Sequence, residues 1–281
     1  MNKKLKKEYL IVPAVDETSS EKALIVRSPG KRPDQLNIAR CPTMYIRGIL
    51  TPKDNSHIYR DYNCDVLELK DIFDQKKFPT PTSSDSRILL TLIKNERNGI
   101  INIKLTELAS ISGVHRTNVG TSLKRLAEGL YIGKKAKNSK TVIYSKEKFI
   151  EIVSKNTYRI LLASFMDDNS FSRIDIDILN SYLKFINNNK QLNTATDFYF
   201  YYVRILTSSN KGIIKRLFIS ELEITVFAKY KYYRNEYKSF LQKCLEGLIH
   251  VGYLEEYKFE KGNRGEQISL VYPMIGKKLR V

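Results

Sequence analysis

Apolar positions in the middle of the chain recur at helical spacing on both sides of one glycine. Leu105, Leu108 and Ala109 share one face of a short segment, and Val119, Leu123 and Leu126 share one face of the next. Spacings of three and four place side chains on the same side of a helix. Gly113 stands where the chain has to turn sharply, which a residue without a Cβ does at little cost, and Val114 returns it to the core. The pattern predicts a helix-turn-helix over residues 106–126. The face opposite the apolar stripe is expected to carry His115, Arg116, Asn118, Ser122 and Arg125, which can hydrogen-bond to base edges or phosphates. An ordinary helical hairpin buried in a core is the plainer alternative.

The flanks extend the pattern. Ser84 or Asp85 suits a helix N-cap, and Ile88, Leu89, Leu92 and Ile93 form a buried helical stripe ended by Asn98 and Gly99. Ile100, Ile101 and Ile103 read as a β-branched strand. After the helix-turn-helix, Gly129 closes the second helix. Tyr131 with Ile132, and residues 141–144, read as two strands. The loop between them holds Lys134, Lys135, Lys137 and Lys140 and no acidic residue. Helix, strand, helix, helix, strand, basic loop, strand is the order of a winged helix. Residues 146–189 read as helical, from Phe149, Ile152 and Val153 through Tyr158, Leu161 and Leu162 to Leu179, Tyr182, Leu183 and Ile186.

The same order returns towards the C-terminus. Phe198, Tyr202, Ile205 and Leu206 mark a helix, residues 217–219 a strand, and Ser220 caps a helix holding Leu222, Ile224 and Phe227. Residues 233–251 form a long helix with Tyr237, Phe240, Leu241, Cys244, Leu245 and Leu248 on a single face. Gly252 ends it, and residues 253–260 and 266–272 form a hairpin around Lys261, Gly262, Asn263, Arg264 and Gly265. The open face of the long helix carries Arg234, Lys238, Gln242 and Lys243, preceded by Lys229 and Lys231. The expected fold class is α+β, mainly helical, with two winged helix-turn-helix domains. The expected division is an N-terminal arm or small subdomain (1–82), a first winged helix (83–152), a helical connector (153–192) and a second winged helix (193–281). In the arm, residues 10–12, 24–26 and 44–50 are strand candidates, residues 28–33 a basic loop and residues 66–73 a short helix.

Charge narrows the partner. The 281 residues carry 48 Lys and Arg against 30 Asp and Glu, a formal net charge of +18. Such a balance points to a polyanion, nucleic acid before membrane. A genome that favours Lys codons gives the same balance. Cys41, Cys64 and Cys244 are far apart and form no Cys-x-x-Cys pair, which argues against a zinc site or disulfide framework. No apolar run approaches the roughly 20 residues that span a bilayer. The start of the chain lacks the apolar core of a signal peptide. The expectation is a cytoplasmic protein associated with the nucleoid or a plasmid, with no membrane partner.

Nothing in the chain points to a catalytic centre, cofactor or metal. A phosphate-binding Gly-rich loop is missing, and His57, His115 and His250 form no metal-binding pair. Asp167, Asp168, Asp175 and Asp177 are the one dense carboxylate cluster, and helix capping explains them more simply than Mg²⁺. Tyr199, Tyr201, Tyr202, Tyr230, Tyr232 and Tyr233 are numerous enough to stack on single-stranded bases, but at this spacing core packing is the simpler reading.

From Ser83 to Val281 the arrangement resembles the replication initiators of iteron-type plasmids. Tyr202, Val203, Arg204, Ile205 and Leu206 look like the start of that family's second winged helix, and the segment from Phe240 to Tyr253 like its long helix and the strand after it. In the family the first winged helix lies near the start of the chain, whereas here some 80 residues precede it. The resemblance implies binding of repeated origin sequences in double-stranded DNA, with both winged helices on one duplex. It also implies a homodimer in the repressing form and host replication proteins as partners. On this reading Arg116, Thr117, Asn118 and Ser122, with Arg234, Asn235 and Lys238, contact bases. Lys134, Lys135, Lys137, Lys140, Lys261 and Arg264 contact phosphates. A transcriptional regulator with two winged helices is the main rival, and a DNA-nicking or recombining enzyme a more distant one.

Overall fold

The computed structural model describes residues 38–42, 46, 48–50, 53, 55–96, 99–136, 139–161, 171–187, 191–208, 214–227, 234–263 and 265–271. The fold is mixed α+β. Helix α2 (Ser83–Asn95) leads through β4 (Ile100–Asn102) to α3 (Leu105–Ser112) and α4 (Arg116–Glu128), and then to the hairpin of β5 (Leu130–Lys135) and β6 (Thr141–Glu147). The two helices expected on either side of Gly113 are present. Gly113 has φ 62 between α3 and α4, and Leu108, Val114, Val119, Leu123 and Leu126 are buried. Leu105, expected inside, is 40% exposed at the first turn of α3.

Two differences concern β structure. Residues 146–160, expected to be helical, complete β6 and then form β7 (Ile150–Ser154) and β8 (Thr157–Ile160), turning at Asn156 with φ 67. The reason is visible in the side chains. Tyr158 and Ile160 are buried and alternate with polar neighbours at period two, and β7 is rich in β-branched residues. Strand β4 pairs with β8, giving a sheet in the order β4-β8-β7, so the basic hairpin β5–β6 does not take β4 into its own sheet. The hairpin instead joins the N-terminal part of the chain. Strand β2 (Ile58–Asp61) runs parallel to β6, and β3 (Val66–Leu67) lies outside β2. Helix α1 (Leu69–Phe73) covers this β3-β2-β6-β5 sheet, where Tyr59, Ile72, Phe78, Val142 and Tyr144 form a small core. Residues 58–73 are thus built into the sheet of the basic hairpin.

Other corrections in this region are local. Helix α2 is capped by Thr82, with Asp85 closing a reciprocal capping box from the third helical position, and it ends at Asn95 before the expected stop at Asn98 and Gly99. Ile46, Gly48 and Ile49, which lie in the stretch expected to be a strand at residues 44–50, are helical, with Leu50 N donating to Ile46 O. Residues 10–12, 24–26 and 28–33 lie outside the described residues.

In the second half, β1 (Ile38–Pro42) pairs antiparallel with β9 (Phe171–Asp175), and α5 (Ile176–Ile186) follows. Asp175 caps α5 by accepting from the backbone N–H groups of Asp177 and Ile178. Helix α6 (Leu192–Ser208) is buried on every side from Thr194 to Val203, as a helix running through the core must be. Strand β10 (Ile214–Phe218) precedes α7 (Ile219–Leu222), which opens directly after Phe218 and without Ser220 as its cap, and a π-helical turn follows at Glu223–Phe227. Helix α8 (Arg234–His250) buries Tyr237, Phe240, Leu241, Cys244, Leu245 and Leu248 as predicted. Strands β11 (Glu256–Gly262) and β12 (Gly265–Val271) form the expected hairpin, in a sheet ordered β10-β12-β11. Outside the small core around Tyr59 and Tyr144, the buried apolar side chains form a continuous cluster from Ile46 to Leu270 that passes through both halves. Among the described residues no helix is long and apolar enough to cross a membrane.

One buried carboxylate ties α2 to α4. Asp85 is fully buried, and its Oδ2 accepts from Thr82 N and Thr82 Oγ1 at 2.8 Å each and from Arg125 Nε at 3.1 Å. Asp85→Ala should destabilise the protein by about 3 kcal/mol, since removing one partner strands the other near the interior. Urea denaturation should show this as a lower midpoint with an unchanged slope.

Candidate nucleic-acid interface

Helix α4 opens at His115, whose Nδ1 lies 2.8 Å from Thr117 Oγ1, while Asn118 N donates to His115 O. His115, Arg116, Thr117, Asn118, Gly120, Thr121 and Lys124 are all exposed along one side. Two expected members of that side are not on it. Ser122 is 3% exposed, because it stands three residues after Val119 and four before Leu126 and so falls within the inward stripe. Arg125 is turned sideways into the protein. Its Nη2 donates to Thr80 O at 2.7 Å and reaches Gln75 Oε1 at 3.3 Å, beside the bond to Asp85.

The turn before α4 is clamped from two directions. Arg87 in α2 is buried and donates through Nε to Ser112 O, and Asn180 in α5 donates through Nδ2 to Ile111 O. Both close carbonyls at the end of α3, where the helix leaves acceptors open and its dipole favours a cation. Burial pushes the Arg87 guanidinium down to about 10, so it stays charged at neutral pH. A Cβ on Gly113 would run into Arg87, which together with its left-handed backbone fixes glycine there.

Sequence reasoning overlooked Gly120, Thr121 and Lys124 on the open side. Lys124 pairs with Glu128 at 3.6 Å along the surface. Gly120 gave a readable signal, since a glycine inside a strong helix costs about 0.5–1 kcal/mol relative to alanine. A Cβ at Gly120 would meet nothing within 4 Å, so packing inside the chain does not require glycine there. The missing side chain leaves bare backbone within the exposed polar face.

The two hairpins differ in charge. From Arg116 to Glu147 the sequence has eight Lys and Arg against two Glu, whereas from Arg234 to Val271 it has six against six. Lys134, Lys135 and Lys140 are exposed on the first hairpin, and Lys137 lies outside the described residues. In the second half, Lys238 is drawn over its own hairpin, 4.0 Å from Glu266 and 5.2 Å above the Phe259 ring. Gln242 donates to Glu246. Lys261 is exposed. The side chains of Arg234 and Asn235, and Arg264, Lys229 and Lys231 altogether, lie outside what the structure describes.

The remaining chemistry candidates are placed as follows. Tyr199, Tyr201 and Tyr202 are at most 1% exposed, with Tyr199 stacked on Tyr253 and the Tyr202 hydroxyl donating to Tyr253 O. Burial pushes the Tyr199 phenol well above its usual range. These rings hold the core together and present no face to a base, while Tyr230, Tyr232 and Tyr233 lie outside the described residues, as do Asp167 and Asp168. Asp177 pairs with Lys94 at 3.7 Å. Among the described residues no three His, Cys, Asp or Glu side chains cluster to hold a metal ion.

No family model matches the chain, and no curated protein matches it. Among solved structures it is similar to the Pi initiator protein in a crystal structure with iteron DNA, with 11% identity and a TM-score of 0.47, covering 85% of this chain and 99% of the other. This is a distant likeness and carries no inference about function.

Gly120→Ala separates packing from contact. It should raise stability by about 0.5–1 kcal/mol in urea denaturation, yet weaken DNA binding in an anisotropy titration. A variant that gains stability and keeps full affinity would remove this face from the interface.

Proposed function

We propose that the chain is a sequence-specific double-stranded DNA-binding protein that initiates replication of a plasmid or other mobile element by binding origin repeats. The observation that carries DNA binding is the open side of α4. It is polar, bare of side chain at Gly120, and held rigidly by Arg125, Arg87 and Asn180. A helix so presented fits the major groove, where Arg116, Thr117 and Asn118 read base edges with Thr121 and Lys124 beside them. Ser122 drops out of the reading set because it is buried. Lys134, Lys135, Lys137 and Lys140 then lie along phosphates, supplying affinity that is independent of sequence.

In this reading the two helix–hairpin units are winged helices, with the second beginning near residue 193 and contributing through Arg234, Asn235, Lys238, Lys261 and Arg264. Its even charge leaves most of the electrostatic attraction to the first. The initiator role rests on the tandem arrangement within one chain that resembles iteron-type initiators. Two readers on one duplex face sit about one helical turn apart, roughly 34 Å, and each raises the effective concentration of the other. A homodimer and host replication proteins belong to the same proposal, and no catalytic step does.

Footprinting on the DNA upstream of the gene, at physiological salt and against random competitor, tests the reading. Several evenly spaced direct repeats, each protected over about two helical turns, are expected of an initiator. A single protected palindrome would make the protein a dimeric regulator. Absence of preference over competitor would overturn sequence-specific binding altogether. Arg116→Ala should cost about 1–3 kcal/mol on the protected site and relax the preference at one base pair.

A further inference from the structure

The described part of the N-terminal region has no role in that reading, yet β2 is built into the basic hairpin's sheet. Its register settles which residues share a face. Arg60 on β2 lies opposite Ile143 on β6, and Ile143 lies opposite Lys134 on β5, while Val66 on β3 lies opposite Arg60 on the other side. Residues directly opposite across strands point to the same face. Val66, Arg60, Ile143 and Lys134 therefore form one row, with Ile58 and Thr141 two residues along on the same face. The other face is the closed one, where Tyr59, Val142 and Tyr144 pack with Ile72 and Phe78.

The row is open. Ile58 is 51% exposed and Val66 67%, Lys134 is exposed, and Arg60 and Ile143 are half-buried. Near Ile132 the same face is closed by the helical turn at Gly48, whose missing Cβ lets the backbone come against the Ile132 side chain. The exposed part thus has a definite edge. Arg60 is held by donating through Nη1 to Cys64 O across the β2–β3 turn, where Cys64 takes a left-handed φ of 71. Arg60 and Lys134 stand two strand spacings apart, about 10 Å. Acidic groups are peripheral. Glu68, just past β3, pairs with Lys70, and Asp61 accepts from Asp65 N within the turn. Glu147 lies on the same face but four residues from Ile143, about 13 Å along the strand. Two aligned cations among exposed apolar atoms form a surface complementary to a negatively charged partner.

We propose that this outer face of the β3-β2-β6-β5 sheet is a second contact for the phosphate backbone of the DNA duplex, with Arg60 extending the row that Lys134 begins. The inference rests on the DNA-binding reading above and gives residues 58–67 a part in it. The duplex is favoured as the occupant because the row continues the basic hairpin already assigned to phosphates.

Salt titration of the full chain on a random-sequence duplex tests the proposal. The slope of log K against log salt should fall by about one for Arg60→Gln, as for Lys134→Gln, and return with Arg60→Lys. Ile58→Lys adds a cation to the row at an exposed position and should steepen the slope by about one, while Ile249→Lys on α8 should leave it unchanged. Ile58→Lys also decides the matter if Arg60→Gln disturbs the turn. A normal slope for Arg60→Gln and Ile58→Lys alongside a reduced slope for Lys134→Gln would overturn the proposal and leave the hairpin reading intact. A normal slope for all three would overturn both.

Discussion

The pairing of Asp85 with Arg125 decides how α4 is rolled about its axis, and much else in the first half follows from that angle. The carboxylate is fully buried and the guanidinium mostly so, and the two sit where the start of α2, the segment at Gln75 to Thr80 and α4 meet. A buried ion pair is weak evidence for stability, since desolvation consumes much of its Coulomb attraction. Its directional bonds are worth more here as geometry. With Arg125 fixed against Thr80 O and Asp85, the apolar stripe Val119, Leu123 and Leu126 has one way to face the core, and Arg116, Asn118, Gly120 and Lys124 have one way to face solvent.

The same logic explains why a basic helix can be read so easily and yet be misassigned in detail. The stripe and the turn glycine were legible because they repeat a simple spacing. Ser122 was legible as well, since its spacing to Val119 and Leu126 places it inside, and only its polarity argued otherwise. Arg125 was not legible. Its side chain is long enough to leave the helix surface and find an acceptor 40 residues earlier in the chain, which no local pattern encodes. Residues 146–160 failed for a different reason. Stretches such as Ile150 to Val153 satisfy both periods over a short window, and the arbiter is pairing, of β7 with β8 and of β8 with β4, whose Ile101 stands opposite Tyr158. The second half was read well where the chain makes long regular elements, as in α8 and its hairpin. It was read less well at β9, which falls within the stretch expected to be helical and is set by pairing with β1 about 130 residues earlier.

Contact between the halves bears on how DNA would be held. Asn180 of α5 closes a carbonyl at the turn between α3 and α4, Ser83 of α2 donates to Asn193 Oδ1 in the first turn of α6, and β1 pairs with β9. These ties, together with a continuous apolar core, do not describe two beads on a flexible linker. A rigidly joined pair of readers has its spacing set before it meets DNA, so less ordering entropy is lost on binding. On the proposed reading, a duplex whose half-sites are misplaced by one or two base pairs would have to bend or twist to meet both halves.

Charge is distributed on this frame unevenly. The first helix–hairpin unit is strongly basic and its hairpin is braced by β2 and β3, while the second is balanced and draws Lys238 onto its own Glu266 and Phe259. Phosphate attraction grows with the number of cations brought to the backbone and is sequence-independent. A rigid protein with one sticky and one neutral reader would be held on DNA by the first. It would settle where the second also finds matching base edges, because a charge-balanced unit gains little from the wrong sequence. Discrimination would then come from the half with the weaker hold, and affinity from the half with the stronger.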